Sequence, residues 1–235
     1  MGAFAQLLVN TIVPGALFGL AAASFTLIHR VTKVLHLAHG GVVMVGAYGY
    51  FWAHRAGWGT GGAVALALVA ATVAALLVAL LVYEPLRARA PLSSIGNLIA
   101  SFASLLVIEA LLLMVFGSRT RSAPPLVVDH RYDILGGSIT THQLVIIVIA
   151  AVCVTALAVF LRRTRLGMAM RAVADHEEVA AVVGIAPRRV RCWAYAIAGC
   201  LAGVTGVLLA GELAFEPRHA VSVAIASFAR SIIGG

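Results

Sequence analysis

His36 and His39, spaced three apart, and Glu109, an acidic residue inside a long apolar run, are the side chains of this chain best suited to hold a metal ion. Imidazoles at that spacing can share one helix face, and a carboxylate can complete a simple zinc site. The set is thin. No His-Glu-x-x-His pattern occurs, the other histidines are scattered at loop edges, and Gly40-Gly41 would loosen a rigid ligand array. No metal is expected, and His39 is read as bonding exposed backbone where a helix begins near the inner surface.

Other chemistry is equally poorly provided for. The serines have no Gly-x-Ser-x-Gly setting, so hydrolase chemistry is not expected and no residue is assigned a catalytic role. The only lysine, Lys33, is followed by Val34, and no Gly-x-x-x-x-Gly-Lys-Ser/Thr exists to cradle a nucleotide. Any ATP would have to be bound by a separate chain. Cys153, Cys192 and Cys200 lack metal spacing, and the last two would lie about 12 Å apart along one helix, too far for a disulfide.

The longest polar island runs Glu177-Glu178-Val179-Ala180-Ala181, then Gly184-Ile185 and Pro187, within a basic segment from Arg162 to Arg191. Asp175 and Glu178 have a capping-box-like spacing, Gly184 can end a short helix in a left-handed conformation, and Pro187 can open the next. A short rigid helix between two apolar stretches is what a membrane subunit would present to a cytoplasmic motor. Arg171, Asp175, Glu177, Glu178, Gly184 and Pro187 are the candidate coupling residues; an ordinary solvated amphipathic loop is the alternative.

These residues must be positioned by membrane helices. Of 235 residues, 62% are hydrophobic and 11% charged, and the mean hydropathy is +1.02, which places the chain in the bilayer. The +8 formal charge sits at the ends of apolar runs, not on one face, so nucleic acid is not an expected partner. A crossing helix needs about 20 apolar residues. Candidate spans are Leu7 to Ile28, Leu37 to Trp52, Gly62 to Tyr83, Ile95 to Phe116, Leu144 to Leu161 and Cys192 to Leu209, with a seventh run beginning at Val221. The expected fold is therefore an all-α, polytopic membrane protein of about six complete transmembrane helices plus the start of another. It reads as a single domain over 1–235 with a cytoplasmic loop over 162–191. The first span lacks a basic n-region and is read as retained.

Basic residues favour the inner side of a membrane. With the N-terminus outside, Arg30, Lys33, Arg87, Arg89 and the Arg162 to Arg191 cluster all fall inside, which outweighs Arg55, Arg119, Arg121, Arg131 and Arg218 outside. The Gly117 to Thr141 connection then faces outward, with Pro124-Pro125 and Gly136-Gly137 as turn signals, either meeting an extracytoplasmic partner or serving as a plain connector.

Thr11, Gly15, Gly19, Ala22 and Thr26 form one small-residue face, and Cys192, Ala196, Gly199, Gly203, Gly206 and Ala210 form another, as close helix packing requires. Asn10, His39 and Glu109 are the candidates for lining a solute path. A carboxylate as deep as Glu109 faces either such a path or a bonding neighbour. Asn10 either lines the outer mouth or bonds the backbone freed by Pro14.

Leu35-His36-Leu37-Ala38-His39-Gly40 followed by Met44-Val45-Gly46-Ala47-Tyr48 resembles the Asn-Leu/Phe-Ala-His-Gly and Gly-Ala-Tyr signature of inner-membrane permeases of branched-chain amino acid ATP-binding cassette importers. Asn10, Gly15 and Gly19, then Arg162 to Arg171 with Gly167, Asp175 to Ile185, and Ala198 to Leu208 fit its further segments. Ser227-Phe228 to Gly234-Gly235 resembles its Ala-Phe…Leu-Gly-Gly step. The resemblance covers essentially the whole chain. It implies a permease of the bacterial cytoplasmic membrane that is not an enzyme and moves branched-chain or other amino acids. Its implied partners are two ATPase subunits, which dock on the 162–191 loop, a second homologous permease and an extracytoplasmic solute-binding protein, all assembled in the lipid bilayer. Cofactors are not implied for this chain; ATP belongs to the ATPases. Urea- or amide-type permeases of the same family, a secondary transporter driven through Glu109, and a membrane-embedded metal enzyme are the alternatives.

Three departures stand out. His36 replaces the family's Asn, His29-Arg30 replaces a smaller Tyr-Gly-like pair, and Ala226 stands where the family often has Lys, with Arg230 one helical turn on. The family carries a further helical region after Gly-Gly, so the chain reads as lacking the C-terminal part of the family domain.

Overall fold

A computed structural model of the chain describes residues 2–89, 94–127, 130–134 and 137–233. The first helix, α1 (Gly2–Thr32), stops where Lys33 turns left-handed with φ +56° while its N–H still reaches the His29 carbonyl at 2.9 Å. Helix α2 is Ala38–Arg55; α3 is Thr60–Val78, which continues through a π-helical stretch, Ala79–Tyr83, into α4, Glu84–Arg89. Helix α5 is Ser94–Phe116. Strands β1 (Arg131–Ile134) and β2 (Gly137–Thr140) pair antiparallel, Arg131 opposite Thr140. Then follow α6 (Thr141–Arg163), α7 (Arg165–Asp175), α8 (Glu177–Val182), α9 (Pro187–Glu212) and α10 (His219–Ile233).

The chain is thus an all-α polytopic membrane protein. Among the described residues five helices are long and apolar enough to cross a bilayer: Gln6–Thr32, Thr60–Ala88, Ile95–Phe116, Thr141–Arg163 and Pro187–Glu212. Each contains or coincides with an expected span, extended at the ends by polar residues that keep helical hydrogen bonding. The expected second span differs. Helix α2 has 18 residues, about 27 Å, and is enclosed by its neighbours: Val42, Val43, Met44, Ala47, Tyr48 and Tyr50 are all buried. A helix shielded from lipid need not be uniformly apolar, and α2 carries two histidines and two tyrosines on that account. The seventh run forms the shorter α10; Gly234-Gly235 and Gly136 lie outside the described residues.

Small residues decide how α2, α3 and α9 meet. A methyl group added at Gly199 would lie 2.8 Å from the Ala75 Cβ, one at Gly203 2.9 Å from the Leu68 Cα, and one at Gly206 2.6 Å from the Ala47 nitrogen. The small face expected on α9 therefore brings α2 and α3 to backbone contact, where dispersion replaces the missing hydrophobic drive. The face expected on α1 does something else. At Gly15 and Gly19 nothing lies within 4 Å of an added methyl, so this face packs no helix there among the described residues. It borders a groove instead.

One end of the bundle is tied by the connections that follow α5 and α9. Arg121 and Phe215 exchange two backbone hydrogen bonds of 2.8 Å, joining the segment after α5 to the one after α9. Helix α6 begins in a capping box between Thr140 and Gln143, and the Gln143 amide donates to Glu212 at 2.8 Å. At the opposite end lie α4, α7, α8 and the start of α9.

Candidate coupling site and the polar groups between helices

The segment between α6 and α9 folds as two short helices with local signals at each boundary. Thr164 caps α7, its hydroxyl accepting from the Gly167 N–H at 3.0 Å. Gly167 is packed so closely on the Phe160 carbonyl and Leu161 that a side chain would not fit without a shift. Helix α8 ends in a Schellman motif: the Ile185 N–H reaches the Ala180 carbonyl at 3.0 Å, the Gly184 N–H reaches Ala181 at 3.1 Å, and Gly184 has φ +88°. Pro187 opens α9 at its first turn. The Asp175–Glu178 capping box does not form. Asp175 is the last residue of α7, and the extended His176 caps α8 without a side-chain bond.

Glu177, the first residue of α8, is anchored to the transmembrane helices. Its carboxylate accepts from Arg191 on α9 and, at 3.4 Å, from Arg87 on α4. Arg87 in turn donates to the Thr32 carbonyl at the end of α1, 2.6 Å away. Arg191 also grips Glu84 with two nitrogens, at 2.8 and 3.0 Å. A planar guanidinium matches two carboxylates held this way better than an ammonium would. Charge-assisted bonds thus tie the start of α8 to α4 and α9, and Arg87 continues the connection to the end of α1.

The outward side of α8 is apolar. Val182 is 88%, Val183 71% and Val179 61% exposed, next to Glu178, Ala181 and Asp175 at the surface. These three valines form a small exposed apolar patch beyond the membrane helices. Arg171, on α7, is exposed beside them. Sequence reasoning found α8 and its ends but missed Glu84 and the pairing role of Arg87 and Arg191. The signal available was an acidic residue just after an aliphatic run and an arginine just inside another.

The histidine pair is enclosed. His36 Nδ1 lies 2.8 Å from the Tyr83 hydroxyl, and His39 Nε2 lies 2.8 Å from Ser24 Oγ. Tyr83 stacks on Tyr195 with centroids 5.8 Å apart, and His36 meets both rings edge-on. Tyr83 is the last residue of the π-helical stretch. Burial, with His39 alongside, holds the His36 imidazole well below the usual histidine range and so neutral. His39 bonds a side chain of α1, not the exposed backbone expected for it. Glu109 does not join the pair: among the described residues no three His, Cys, Asp or Glu side chains converge as metal ligands.

Glu109 sits midway along α5 with Oε2 buried and without a hydrogen-bond partner among the described residues. Among the described residues Asn10 bonds neither the backbone freed by Pro14 nor a buried group. Its side chain accepts from Gln6 at 3.0 Å, and Gln6 accepts from the Ser138 N–H at 2.8 Å, which ties α1 to β2 at the hairpin end.

Comparison with known proteins gives the arrangement its context. The family model described as the permease component of branched-chain amino acid transport systems matches residues 7–235. The chain is 29% identical to the high-affinity branched-chain amino acid transport system permease protein LivH of Escherichia coli K12, over 99% of this chain and 79% of that protein. It is 28% identical to LivH of Salmonella typhimurium and 26% identical to BraD of Pseudomonas aeruginosa, a permease protein described in the same words, with the same coverage. No solved structure matches the chain.

Proposed function

We propose, from the premise that this chain belongs to the branched-chain amino acid transport permease family, that it is the membrane subunit of an ATP-driven importer of branched-chain or related amino acids in a bacterial cytoplasmic membrane. The match of the family model across residues 7–235 carries this reading. The chain contributes the helices around the solute path and performs no chemistry of its own; ATP is bound and hydrolysed by two separate subunits. A second permease completes the path and an extracytoplasmic binding protein delivers the solute. Asn10, His39 and Glu109 remain the candidates beside that path. Of these, the unpaired buried oxygen of Glu109 supports a place at a polar surface completed by another subunit.

Residues 162–191 form the coupling loop of a single permease domain. Arg171, Asp175, Glu177, Glu178, Gly184 and Pro187 shape the docking face, and the exposed valines of α8 enter a groove on an ATPase. Glu177 passes the displacement to α1, α4 and α9 through Arg87 and Arg191. The charge bias supports a cytoplasmic position for this end and an outside N-terminus. In a cysteine-free background, His176→Cys then reacts with a membrane-impermeant thiol reagent only from the cytoplasm and His130→Cys only from outside.

Reconstitution of the chain with ATPases, second permease and binding protein in vesicles tests the whole reading. ATP-dependent leucine uptake insensitive to a protonophore is expected; uptake without ATP that a protonophore abolishes would make it a secondary transporter.

A further inference from the structure

A cavity of about 910 Å³ opens between α1, α6, α7 and α10. Its wall on α1 is part of the small-residue face, Gly19, Ala22 and Thr26, open at Gly19, and its wall on α6 is aliphatic, Val154 and Leu157. One cation reaches deep into it. The Arg230 guanidinium lies 4.5 Å from the centroid of the Phe18 ring, and Phe18 is about 21 Å along α1 from Thr32, well inside the span. A charged group at that depth needs a counter-charge, water or a polar ligand. Arg230 has its contact with the Phe18 face and a 3.4 Å bond to the Ala226 carbonyl; among the described residues no carboxylate pairs with it. Asp175 lines the same cavity without pairing to it. The next residue, Ser231, places its hydroxyl 2.7 Å from that of Thr26, and both line the cavity.

A guanidinium, a pair of hydroxyls and an aliphatic wall are the complement of a zwitterion with an apolar side chain. We propose that Arg230 holds the carboxylate of the amino acid in transit. The Thr26–Ser231 hydroxyls accept from its ammonium group and Val154 and Leu157 receive its side chain. The position is built for this: the ring of Phe18 steers a planar guanidinium without neutralising it, and Gly19 beside it leaves room for a ligand. The inner mouth carries Lys33, Arg162 and Arg171, which attract a carboxylate onward to the far side. This subsite rests on the reading of the chain as an amino acid importer subunit.

The test is leucine uptake and ATP hydrolysis measured together in the reconstituted complex. Arg230→Gln is expected to lower the maximal uptake rate by about tenfold to a hundredfold, the value of one lost charge-assisted bond. The half-saturating leucine concentration, set by the binding protein, and partner co-purification stay unchanged. Arg230→Lys restores much of the rate, because a carboxylate accepts from an ammonium too. Gly19→Phe, which fills the cavity where an added side chain meets open space, lowers uptake as Arg230→Gln does. Parental uptake by Arg230→Gln overturns the subsite alone, as does equal loss of assembly in the Gln and Lys variants. Absence of ATP-driven leucine uptake in the unaltered complex overturns the importer reading and the subsite with it.

Discussion

Arg191 and Glu84, 107 positions apart in the chain, meet through two bonds of 2.8 and 3.0 Å, with only 7% and 11% of their side chains exposed. The pair joins the start of α9 to the start of α4. Removing Arg191 leaves the Glu84 carboxylate with only the exposed Arg188 guanidinium, 3.8 Å away, as an ionic partner. Arg191→Leu is expected to destabilise the purified protein by about 3–5 kcal/mol, whereas the Arg191→Leu/Glu84→Leu double variant recovers most of that loss. Thermal unfolding in detergent measures both, and equal losses in the single and double variants would show that the cost lies in losing the pair itself and not in a stranded charge.

Glu177 is 40% exposed, and its ion pairs are correspondingly weak contributors to stability, about 1 kcal/mol or less. Glu177→Gln should therefore leave insertion and unfolding temperature near the parental values. Its effect is on transmission: ATP hydrolysis continues while uptake per ATP falls. Unchanged coupling in this variant would mean that α8 moves the transmembrane helices by another route.

Gly184→Val forces a β-branched side chain into a left-handed conformation, about 1–2 kcal/mol above its preferred state, and so unravels the end of α8. Glu178→Lys reverses a charge on the docking face. Both variants should insert normally but lose ATPase subunits during co-purification and lose uptake. Full ATPase recovery with both would identify an idle loop.

Gly206→Ala sets a methyl against the Val43 carbonyl and the Ala47 nitrogen, and α2 and α9 must separate to admit it. A loss of about 1–3 kcal/mol is expected. Gly15→Ala meets open space and should be close to neutral. Unfolding midpoints of the two variants compared with the parent decide whether the α9 seam has the tight packing described.

Glu109→Gln removes a charge and keeps most hydrogen-bonding capacity. In the assembled importer substantial uptake should persist with no dependence on a pH gradient, while Glu109→Leu impairs it. Uptake lost entirely in the Gln variant with assembly intact, together with proton-driven uptake by the parent, would favour secondary transport.

The features legible in the sequence are those set over short stretches of chain. Run length against bilayer thickness is local, so each of the five long helices contains one of the expected spans, and all but Ile95–Phe116 extend beyond it at the ends. Gly184 and Pro187 act through their own φ angles, the one ending α8 and the other opening α9 as expected. The His36–His39 spacing was equally visible, but spacing alone could not say whether the rings would find a metal, a solute or Ser24 and Tyr83.

What only the tertiary structure decided depends on how helices cross. Two small-residue faces of the same pattern had different fates: Gly199, Gly203 and Gly206 are filled by α2 and α3, while Gly19 borders a cavity. Nothing within α1 or α9 distinguishes them, because a seam exists only when a second backbone arrives. The same holds for α2, shielded by neighbours that its own sequence does not contain, and for Arg191, Glu84 and Glu177, which meet across 107 and 14 positions. Hydrophobic pattern selects helices and their number; the close approach of backbones, set by several helices at once, selects which charges and cavities face one another.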